Sequence, residues 1–88
     1  MDEYTARVAQ PLRAVYAEFQ AGDATLLDLS RVAAQVAMTL DNAQAQLLAL
    51  LRQADGDLEY GYYATESEDH GALADRVFGP ILAYMDGE

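Results

Sequence analysis

Apolar residues recur at steps of three and four along the whole chain, the spacing that lines up one side of an α-helix. Val8, Leu12, Val15 and Phe19 step by 4, 3 and 4, with Tyr16 beside them. Pro11 falls early in this segment, where a missing N–H matters least if the helix starts just before it. Ala21-Gly22-Asp23 stops the pattern, with Gly22 in the position past the last turn that favours a left-handed backbone. Thr25 then offers an N-cap, and Asp28 three residues on makes an acidic variant of the reciprocal capping box. The spacing predicts a second helix from about Leu26 to Leu40 that buries Leu29, Val32, Val36 and Leu40. Ala33 and Ala37 share that side and let a neighbouring helix approach closely.

Asp41-Asn42 marks the next break and cap. A third helix, from about Ala43, buries Leu47, Leu51, Ala54, Leu58 and Tyr62. Gly56 and Gly61 each cost it about 1 kcal/mol relative to alanine, so it is expected to loosen or end between Asp57 and Tyr63. Residues 65–71 read as a polar connection, with Ser67 or Asp69 capping a fourth helix from about Gly71 to Met85. That helix buries Leu73, Val77, Ile81 and Tyr84 or Met85, and it should kink at Gly79-Pro80, because Pro80 cannot donate to the Arg76 carbonyl. No stretch alternates with a period of two. The expectation is one all-α domain over residues 1–88, an antiparallel up-down four-helix bundle. Its core should hold Val8, Leu12, Val15, Phe19, Leu29, Val32, Val36, Leu40, Leu47, Leu51, Leu58, Leu73, Val77 and Ile81.

Charge changes this picture more than composition does. A hydrophobic fraction of 52% argues against disorder, and 88 residues suffice for one modest core. The absence of cysteine fits a reducing compartment. No apolar run is long enough to span a membrane, and Asp2 and Glu3 do not resemble a basic signal-peptide start, so a soluble cytoplasmic protein is expected. The formal net charge is -10, and residues 53–88 hold nine carboxylates against one base, Arg76. Gathering one sign this way raises self-repulsion, a cost that makes sense in a protein shaped for a cationic partner. Nucleic acid and anionic membranes are disfavoured as partners, since no basic patch exists to neutralise phosphate.

Candidate chemistry is sparse. His70 is the only histidine. Ser67, Asp69 and His70 are too crowded along the chain to face one another as nucleophile, orienter and base, so no enzyme and no cofactor are expected. Asp55, Asp57, Glu59 and Glu66 match positions 1, 3, 5 and 12 of a calcium loop, but Tyr60 stands where such loops need glycine. The run from Asp55 to Asp69 is the strongest functional signal: it interleaves six carboxylates with three tyrosines and contains no base. Tyrosine supplies large contact area at low entropic cost, and carboxylates at this density pair with the arginines and lysines of a basic protein. Three nearly adjacent tyrosines cannot all face inward on one helix. The candidate partner-binding residues are therefore Asp55, Asp57, Glu59, Glu66, Glu68 and Asp69 for charge, with Tyr60 and Tyr63 as anchors.

These residues resemble the small helical immunity proteins of the colicin D type. Phe19-x-x-Gly22-Asp23-Ala24-Thr25 followed by Leu29 is similar to the family's first helix end, glycine turn and second helix start. Leu47, Leu48 and Leu51 followed by Asp55 resemble its third helix, and Asp69 to Leu73, then Val77 and Leu82, its fourth. Leu29 departs from the pattern, standing where the family tends to have an aromatic. The resemblance implies an antiparallel four-helix bundle that plugs the active site of a tRNA-cleaving toxin, with acidic side chains standing in for substrate phosphates. The function expected is thus a bacterial toxin inhibitor of the immunity or antitoxin kind, acting on a basic nuclease-type partner. The alternative is a self-associating structural or regulatory bundle, in which alanine-rich faces such as Ala33, Ala37 and Ala45, Ala49 support a helix–helix interface, or the exposed tyrosines serve a homodimer equally well. A calcium-binding module is a distant third.

Overall fold

A computed structural model describes residues 2–40 and 44–87. They form four helices: α1 (Glu3–Gln20), α2 (Leu26–Thr39), α3 (Ala45–Ala64) and α4 (His70–Gly87). A 3-10 turn at Ser67–Asp69 leads into the last of these. No strand occurs among the described residues, and no helix among them is long and apolar enough to cross a membrane. The Asp41-Asn42 break and a helix start at Ala43 lie outside the described residues.

Local chemistry sets most of the boundaries. Asp2 opens α1 by accepting the Thr5 N–H at 2.7 Å. The helix therefore begins well before Pro11, which sits in its interior rather than at its start. Pro11 is exposed, so the Arg7 carbonyl it leaves unbonded is on the wet side. At the other end Gly22 adopts φ +87°. Its N–H donates to Phe19 O at 3.0 Å and that of Asp23 to Glu18 O at 2.8 Å, the paired bonds of a left-handed helix stop. The reciprocal box at α2 is formed: the Thr25 N–H donates to Asp28 Oδ2 at 2.8 Å, and the Asp28 N–H to Thr25 Oγ1 at 3.3 Å.

The expected loosening of α3 does not occur. The helix runs unbroken through Gly56 and Gly61 to Ala64, because the glycine penalty of about 1 kcal/mol is smaller than the burial of Leu58 on the same turn. Gly61 is buried, and a Cβ there would overlap the Cδ2 of Leu73. Its missing side chain is what lets α4 lie close to α3. Likewise α4 continues through Gly79 and Pro80, both exposed. Ser67 to Asp69, expected to supply a single cap, instead form the turn that runs directly into it, with the Asp69 N–H on Glu66 O at 2.9 Å.

The core is continuous across all four helices. Ten of the fourteen expected core residues are buried, whereas Val8, Phe19, Val32 and Val77 are half-buried and pack against it. The largest omission is Phe78, which is fully buried. The inward side of α4 is set by Ala74, Phe78, Ile81 and Met85, turned by one residue from the Val77 side. Phe78 stacks on Tyr16 with ring centroids 5.4 Å apart, joining α4 to α1. Helix α2 packs most extensively on α3, and Ala33 and Ala37 are buried in the core. Those two alanines serve packing within the chain, whereas Ala45 and Ala49 face solvent.

Candidate interaction face and end cleft

Because α3 extends to Ala64, the first half of the acidic run is helical. Successive side chains on a helix point about 100° apart, so residues two apart diverge to different flanks. Asp55 turns toward α2, where the Ser30 hydroxyl donates to its Oδ1 at 2.5 Å and to its backbone oxygen at 3.1 Å. It is half-buried and already holds two helices together. Asp57 lies on the opposite flank, beside Arg76, Val77 and Pro80 of α4 in a groove of about 180 Å³, without an ion pair to Arg76. Glu59, Tyr60 and Tyr63 occupy the outer face. Glu66, Glu68 and Asp69 project from the connection to α4, and all three are exposed.

Asp55, Asp57 and Glu59 on a helix cannot converge on one ion as they would in a loop, and among the described residues no group of three potential metal-ligating side chains comes together. His70 is the first residue of α4, half-buried, with Nε2 2.9 Å from the Thr65 carbonyl. A carbonyl only accepts, so Nε2 carries the proton in that contact.

Tyrosine placement is the most informative part of the site. Tyr62 turns inward, packing against the core and the His70 ring, whose centroid lies 5.9 Å away. Tyr63 meets Tyr62 edge-on, yet remains 75% exposed, and Tyr60 is 76% exposed. Two large aromatic side chains one turn apart thus stand in water beside Glu59. Of the arginines, Arg7 pairs with Glu3, Arg13 with Asp86 and Arg31 with Asp28. Asp57, Glu59, Glu66, Glu68 and Asp69 pair with no cation among the described residues.

No family model, characterised protein or solved structure matches the chain.

A second feature adjoins the tyrosines, and nothing in the residue pattern announces it. An open cleft of about 790 Å³ forms where the ends of α1 and α3 meet the starts of α2 and α4. Phe19, Tyr62 and His70 contribute rings, and Thr25, Thr65 and Asp75 contribute polar atoms. The Tyr16 hydroxyl donates to Asp75 Oδ1. Partial burial and then the Asp75 carboxylate push the Tyr16 phenol up to about 12, since both disfavour a second negative charge there. The cleft is invisible to periodicity because its walls come from four segments far apart in the chain.

Proposed function

We propose that this protein is a small acidic inhibitor of the immunity or antitoxin kind, which blocks the basic active site of a nuclease-type toxin by covering it. The observation that carries this reading is the pair Tyr60 and Tyr63, exposed on the outer face of α3 beside unpaired carboxylates. Exposed tyrosines act as contact anchors, and unpaired acids around them steer and pair a cationic partner. Asp57, Glu59, Glu66, Glu68 and Asp69 carry the charge. Asp55 contributes to the local field while bracing α2 against α3.

The same reading takes the helices as an up-down antiparallel bundle. The short connections at 21–25 and 65–69 support it, as does the meeting of alternate helix ends at one cleft. A bacterial cytoplasmic setting and the absence of catalysis belong to the proposal as well.

The test begins with the protein as bait in lysate of its source cell, followed by stopped-flow association with the captured partner. The expected result is a fast rate that falls steeply with salt, together with loss of the partner's nuclease activity in the complex. Replacing Asp57, Glu59, Glu66 and Glu68 together with their amides should leave the helical circular dichroism intact and abolish capture. A rate indifferent to ionic strength, or full capture by the quadruple variant, overturns the proposal.

A further inference from the structure

The end cleft combines aromatic walls with a carboxylate at its edge. Its walls include the rings of Phe19, Tyr62 and His70, and its polar edge includes the carboxylate of Asp75. Aromatic faces carry negative potential and attract cations, most strongly where water is partly excluded. Phe19, Tyr62 and His70 are each half-buried, so their rings sit at such a partly dry boundary. The Tyr16 hydroxyl occupies Oδ1 of Asp75 and leaves the second carboxylate oxygen to accept from another donor. The Thr65 carbonyl holds His70 in place through Nε2, fixing one wall. Glu66, Glu68 and Asp69 rise from the connection that borders the cleft, and no cation among the described residues neutralises them or Asp75. The volume of about 790 Å³ is within the range of ligand-sized clefts.

Resting on the proposed function above, we infer that this cleft receives the guanidinium of an arginine side chain projected by the cationic protein partner. A planar guanidinium stacks on a ring and at the same time donates an in-plane N–H to the free carboxylate oxygen, whereas a lysine ammonium has no plane to stack. Anionic ligands are repelled by the surrounding charge, and neutral apolar ones make no use of the free Asp75 oxygen. The acidic face and the cleft then share one partner. The outer acids of α3 and the turn draw it in, and the cleft fixes its register.

The test uses the peptide acetyl-Gly-Arg-Gly-amide and its citrulline counterpart, equal in shape but uncharged, titrated into the labelled protein at fixed ionic strength and followed by amide chemical shifts. The arginine peptide should give saturable shifts at Thr25, Tyr62, Thr65 and His70, with the citrulline peptide roughly tenfold weaker. Asp75→Asn, which keeps an acceptor for the Tyr16 hydroxyl, should lose a similar factor. Equal binding of both peptides, no saturable shift at large excess, or shifts confined to Asp57, Glu59 and the turn acids would each overturn the inference. The two readings fail separately. If Asp75→Asn holds the captured partner as well as the wild type while the quadruple amide variant loses it, the cleft assignment is wrong and the inhibitor reading stands. If the arginine peptide binds as described while the quadruple variant still captures the partner fully, the reverse holds.

Discussion

Gly56→Ala and Gly61→Ala form an internal control for how closely α3 and α4 pack. Both sites lie inside α3, so replacing either with alanine removes the same backbone entropy cost, about 1 kcal/mol in an exposed helix interior and somewhat less for Gly61 in the last turn. A Cβ at Gly56 meets nothing within 4 Å. At Gly61 it would overlap Leu73 Cδ2 and come within 3.5 Å of Leu73 Cγ. Leu73 is buried, so its side chain must leave its position against neighbours that give it little room. Overpacking of this kind costs about 1–3 kcal/mol. Gly56→Ala should therefore stabilise by about 1 kcal/mol, and Gly61→Ala should range from neutral to about 2 kcal/mol destabilising. With a urea slope of about 1 kcal/mol per molar for a small domain, the two unfolding midpoints should separate by roughly 1–3 M. If both move upward together, Leu73 swings aside freely and the close approach at Gly61 carries no packing energy.

Three further outcomes follow from the same contacts. Leu58→Ala removes a fully buried side chain and should destabilise by about 2–5 kcal/mol in urea unfolding, through lost transfer energy and the cavity left behind. Asp28 has its carboxyl held below the usual range, chiefly by the Thr25 N–H that donates to it. The stabilisation this gives is present above the ordinary carboxyl value of 3.8 and is lost as pH falls through the depressed folded value; Asp28→Asn should flatten that acid limb in a pH series of unfolding midpoints. Tyr16, raised from 10.0 to about 12, contributes stability that is fully present below its unfolded value and is lost as pH climbs toward the folded one. Tyr16→Phe should abolish that alkaline decline, and phenolate absorbance should show one tyrosine titrating late.

Features decided by neighbours in sequence were legible without a structure. The Gly22 stop and the Thr25–Asp28 box each involve residues within a turn of one another, so composition and spacing suffice to place them. Features decided by other helices were not. Gly56 and Gly61 read as weak points because propensity counts only the local backbone, whereas burial of Leu58 and the seat for Leu73 decide the outcome. Phe78 is not singled out by spacing, because Leu73, Val77 and Ile81 alone satisfy a helical side; the packed helix buries Leu73 and Ile81 together with Phe78, which stacks on Tyr16. In the acidic run, the exposure of at least one tyrosine followed from helical geometry, while the division of Asp55 and Asp57 between opposite flanks depended on α3 extending past both. The end cleft needed all four chain segments in place.

The separate placements of Asp55 and Tyr60 bear on how such a protein diversifies. Asp55 is tied to Ser30 and braces two helices, so altering it disturbs the scaffold. Tyr60 and Glu59 stand exposed on the outer face, where substitutions change stability by only about half a kcal/mol. A lineage can therefore exchange these side chains one at a time, each intermediate remaining folded. The scaffold behind them stays constant while the outer face is rewritten.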